Sequence, residues 1–135
     1  METSIKTSQR EEQYYALSKQ WLADLEFFKI ETAFFHRLID DHFAELSKQE
    51  NLGKFKEIGH KLYGLERDES ELNRLLDKHM KELVAAIEHQ NAESNAQLSD
   101  KHAEIENLTS KLVKEYRDVK TELFSMIEQM ISKKH

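Results

Sequence analysis

The chain has 135 residues, 39% apolar and 34% charged, with three glycines and neither proline nor cysteine. Its formal net charge is −6, with acids and bases interleaved, which argues against a nucleic-acid binder carrying a basic face. The lack of cysteine removes disulfides, thiolate metal sites and thiol nucleophiles, and the scarcity of Gly and Pro removes a turn-dense sheet fold.

What remains is an all-α chain, rich in Ala, Leu, Glu, Lys and Gln, of a size expected for a single helical-bundle domain over 1–135. No run approaches the roughly 18–20 apolar residues that a membrane span requires. The opening METSIKTSQREEQ has no apolar core like that of a signal peptide, so a cytoplasmic location is expected.

Residues 1–8 are polar and read as a flexible arm. Ser8 with Glu11 has the spacing of a capping box, which places the first helix over about 9–49. Within it Trp21, Leu25, Phe28, Thr32, Phe35, Ile39, Phe43 and Leu46 share one face, continued backwards by Tyr14 and Leu17. Phe27, Phe34 and Leu38 lie roughly 80–120° round the wheel from Phe28, with Ile30 further out. That is more apolar arc than one neighbouring helix covers. The surplus, Phe27, Ile30, Phe34 and Leu38, reads as an interface.

Lys48 to Gly53, with Asn51 and Gly53 inside it, is the clearest interruption and suits a helix stop. A second helix follows over about 52–92, with Phe55, Ile58, Leu62, Leu65, Leu72, Leu76, His79, Leu83 and Ala86 at helical spacing. One long helix is favoured, Gly64 being the place for a kink or break, since Asp68 and Glu71 could cap a fresh start. The next reversal is expected near 92–98, where Asn95 and Ser99 can cap. A third helix then covers about 98–133, with a seam of Ile105, Leu108, Leu112, Tyr116, Val119, Leu123, Ile127 and Met130. The expected architecture is an antiparallel up-down-up bundle of three long helices, associating as a dimer.

The polar minority on these seams is Asp24, Glu31, His42, Glu69 and His79. Such residues commonly fix register or oligomeric state. Glu31, among Phe27, Phe28, Phe34 and Phe35, is also where desolvation would raise a carboxyl pKa. With no base or nucleophile in view, an ion pair or rim position is the better reading.

The alternative chemistry is a metal site. A reversal near residue 51 would set His42 level with His60 and Glu45 level with Glu57. His42-x-x-Glu45 would then face Glu57-x-x-His60. Facing pairs of this kind build di-metal centres in helical bundles, and the ligands suit Fe, Mn or Zn. A third reading is an apolar-ligand carrier using a gap between helices. No Ser-His-Asp logic, P-loop or dinucleotide fingerprint is present. The expected role is therefore protein–protein association, as a homodimer or as an adaptor or scaffold for another helical protein.

Overall fold

The computed structural model describes residues 2–89 and 92–134, with side chains over 9–89 and 96–132. The described residues are almost entirely α-helical, and no strand occurs among them. Four helices follow in order: α1 (Glu2–Asp41), α2 (Phe43–Leu46), α3 (Gln49–His89) and α4 (Ala92–Lys134). None is long and apolar enough to cross a membrane.

These bounds differ from those read in the sequence. Helix begins at Glu2 rather than near residue 9, so 2–8 belong to α1. Glu11, taken as half of a capping box, is instead buried in the middle of a helix, only 2% exposed. The first helix also ends eight residues early. Asp40 and Asp41 close it with no base in the last turn, so like charge meets the negative end of the helix dipole. There the amide of His42 is shared between the carbonyls of Leu38 and Ile39, both at 3.2 Å.

The single turn α2 tucks Leu46 fully inside and is tied off by two bonds at 2.9 Å, Ser47 N–H to Phe43 O and Asn51 Nδ2 to Glu45 O. Asn51 thus does close a helix end, but that of α2, from a position already inside α3. Phe43, expected on the inner stripe, is turned outward by the break and is largely exposed.

α3 runs through Gly64 without a break, and Glu71, expected to cap a new helix there, pairs with Arg74 instead. No reversal falls at 92–98, because α4 is already helical from Ala92; residues 90 and 91 lie outside the described residues.

The helices pack in two compact units. The first comprises Met1–Glu26 and Ser70–Ser110. Its buried apolar residues are Leu25 from α1, Leu72, Leu76, Leu83 and Ala86 from α3, and Leu98 and Ile105 from α4. Tyr14 and Tyr15 pack against the Leu83–Ala86–Leu98 cluster. Glu11, Ser18, His79, His102 and Thr109 are buried here too.

The second unit comprises Phe27–Glu69 and Lys111–His135. Its buried residues are Phe35, Leu46, Ile58, Leu62, Leu65, Leu112, Tyr116, Val119, Leu123, Met126, Ile127 and Met130. Seam spacing explains both sets, with two exchanges. Leu17, expected to continue the inner stripe of α1, is exposed, and Ser18 is buried in its stead. Leu108, expected on the α4 seam, is exposed, and Thr109 is buried in its stead, returning its hydroxyl to Ile105 O at 2.8 Å.

Candidate functional site: the outer stripe of α1

Within the second unit, α1 carries two separate apolar arcs. On the inner side Phe35 is 1% exposed, with its ring centroid 5.6 Å from Tyr116 and 5.7 Å from Phe124. Phe28 packs on Tyr116 at 4.7 Å. On the outer side Phe27, Ile30 and Phe34 stand 56%, 68% and 47% exposed, with Leu38 half-buried beside them. Residues 27, 30 and 34 lie within about 60° of one another on the wheel, while 28 and 35 lie roughly 80–160° round from them. The helix cannot hide both sides.

Polar contacts fasten the flanks. Tyr116 donates its hydroxyl to Glu31 Oε2 at 2.7 Å, and Lys120 Nζ lies 3.6 Å from the other oxygen. Burial and this acceptor push the Tyr116 hydroxyl well above its ordinary range. Glu31 is therefore an ion-paired acceptor that holds α1 to α4. Glu69, on α3, has Lys29 Nζ at 4.0 Å, and His36 hydrogen-bonds Glu66. The last contact sits at the level implied by a reversal near residue 51. The register between α1 and α3 was therefore legible although the helix break was not.

An open groove runs beside these contacts, floored by Phe28, Leu65, Leu112 and Tyr116 and rimmed by Lys29 and Glu66. It opens to solvent along one side.

The four residues considered for a metal are not gathered. His42 is half-buried at the break between α1 and α2 and makes no capping bond with its side chain. The Glu45 carboxylate takes Lys48 Nζ at 3.1 Å. Glu57 is exposed and pairs with Lys61 at 3.4 Å, and His60 is exposed. Among the described residues no group of three or more His, Asp or Glu side chains is placed to hold a metal ion. The α1 break is the physical reason, since His42 and Glu45 no longer continue the helix on which the facing-pair geometry depended.

Of the remaining polar seam residues, Asp24 is half-buried and accepts a 3.2 Å bond from Gln20 on its own helix. His79 lies at the centre of the first unit, fully buried, with Nε2 3.2 Å from Nδ1 of His102. Tyr14 stacks on His102 at 3.9 Å, Trp21 lies against it at 4.8 Å, and Tyr14 reaches Ser99 Oγ at 3.2 Å. Ser18, His102 and Thr109 are further buried polar residues of this unit that the sequence does not announce, and Glu11 is a buried seam residue rather than half of a capping box. Spacing could have found them. Positions 11, 14, 18, 21 and 25 extend the α1 seam by threes and fours, as 98, 102, 105 and 109 do for α4.

Comparison with protein-family models, with curated proteins and with solved structures finds no match to this chain.

Proposed function

We propose that the protein acts by association, forming a homodimer through the outer stripe of α1, and that each copy folds as an antiparallel three-helix bundle. The observation that carries this reading is the row of large apolar side chains, Phe27, Ile30 and Phe34, left open on one face of a helix whose other face is filled. Contiguous exposed apolar surface marks contact sites more often than chance.

A second copy is the occupant that the residue pattern favours. Positions 27, 30, 34 and 37 are spaced by three, four and three, the spacing of a two-stranded seam. In an antiparallel pair about a two-fold axis, Ile30 meets Phe34 of the second copy. The ring of Phe27 meets the guanidinium of Arg37, which is exposed in the single chain. Arginine over an aromatic face is a favourable contact, and two-fold symmetry forms it twice. The same face that is apolar at its centre is thus capped by complementary groups at its ends. A homodimer built this way would serve as a scaffold, presenting two copies of the remaining surface.

Sedimentation equilibrium tests this. The wild-type chain is expected to run at twice its 16.0 kDa mass, and Phe34→Glu as a monomer. A wild-type monomer at tens of micromolar would overturn the reading.

A further inference from the structure

We propose that the buried His79–His102 pair is an acid-operated latch, in which one added proton opens the first unit while the second unit stays folded.

Chemistry at the pair sets the condition. When both rings are neutral, one ring's N–H points at the other's lone pair across the 3.2 Å between His79 Nε2 and His102 Nδ1. The accepting ring must then carry its own proton on its far nitrogen. Both far nitrogens, His79 Nδ1 and His102 Nε2, are buried with no hydrogen-bond partner among the described residues. The neutral pair therefore already holds one unpaired N–H. A further proton would make a second, on a buried cation with no acceptor for it among the described residues. The rings of Tyr14 and Trp21 from α1 pack on His102.

The charged and titratable neighbours pull in opposite directions. Tyr14 turns its hydroxyl to Ser99 rather than to either ring. Lys101 on α4 repels a charge on His79, and Glu106, also on α4, attracts one on His102.

The sign follows from burial. Desolvation, then His102, then Lys101 hold His79 down to about 4 from an ordinary 6.5, and desolvation lowers His102 as well. Below 6.5 the unfolded chain binds protons that the folded unit refuses. The stability of the neutral pair is whole above that pH and is lost as pH falls towards 4. Glu11 acts in the opposite sense. Burial raises its carboxyl, so acid relieves a cost that is present at neutral pH.

What makes the response local is where the polar residues lie. Among the described residues, all five buried polar side chains, Glu11, Ser18, His79, His102 and Thr109, belong to the first unit. The second unit's buried set is apolar apart from the Tyr116 hydroxyl, which is bonded to Glu31. Acid has no buried imidazole to act on there.

Hydrogen exchange read by peptide, at pH 7 and pH 5 and corrected for intrinsic rates, tests the latch. For amides in 72–86 and 98–109 the opening constant is expected to rise by about twentyfold, the ratio that a shift from 6.5 to about 4 gives for His79 alone. Amides in 58–65 and 112–127 are expected to change by less than about threefold over the same interval. The His79→Leu/His102→Leu double variant is expected to lose the pH response, and Glu11→Gln to keep it. An equal response of both units, no response in the first, or an acid response surviving in the double variant would each overturn the proposal. If the double variant fails to fold, the wild-type comparison of the two units decides alone.

Discussion

The hydroxyl of Tyr116 donates a 2.7 Å hydrogen bond to Glu31, one residue along α1 from the exposed Ile30. A polar bond from a buried tyrosine to a carboxylate that is 20% exposed helps fix which side of α1 faces inward, and so which side is left exposed.

Removing that bond is expected to cost measurable stability. Tyr116→Phe leaves Glu31 paired with Lys120 and should lower the unfolding free energy by about 1.5–3 kcal/mol, the range for bonds to charged groups. Urea titration at pH 7 measures it. A variant as stable as wild type would mean that the bond does not hold α1 in place.

Gly64 offers a gain in place of a loss. It lies inside the continuous α3, and a Cβ built there meets nothing within 4 Å. Gly64→Ala should therefore stabilise by about 0.5–1 kcal/mol through helix propensity alone. Thermal unfolding followed by circular dichroism reads the change. Destabilisation would show that α3 needs the flexibility of glycine at this point.

Phe35 and Tyr63 make an opposed pair, the first 1% exposed and the second 69%. Phe35→Ala should cost about 3–5 kcal/mol, because it empties space beside Tyr116 and Phe124. Tyr63→Ala should stay within about 0.5 kcal/mol. Equal losses by denaturant titration would contradict the assignment of inner and outer surfaces.

Metal addition separates the association reading from its rival. With His42, Glu45, Glu57 and His60 ungathered, stoichiometric Zn(II), Mn(II) or Fe(II) should leave the thermal midpoint unmoved. A shift that vanishes in His60→Ala would restore the di-metal reading.

Much of this was legible in the sequence because helical periodicity is a strong signal. The inner seams of α3 and α4 follow it over almost their whole length, and Phe27, Ile30 and Phe34 stand out as a second arc on α1. What escaped the sequence was set by competition between local and tertiary terms. Asn51 and Gly53 look like a stop, yet the break falls at His42, where two acids end a helix unfavourably and Leu46 can be buried by a single extra turn. Gly64 looks like a hinge, but Leu62 and Leu65 on either side are held in the core and carry the helix through it. The His79–His102 contact joins residues 23 apart on different helices, a relation that periodicity within one helix does not reveal.

Association through the outer stripe is tested most directly by cross-linking, because the chain has no cysteine of its own. Copies carrying Ile30→Cys are mixed with copies carrying Phe34→Cys and oxidised. The expected result is a disulfide-linked dimer that forms faster in the mixture than in either variant alone, since an antiparallel pair sets residue 30 against residue 34. A mixture that cross-links no faster than Lys78→Cys, an exposed position on α3, would contradict it.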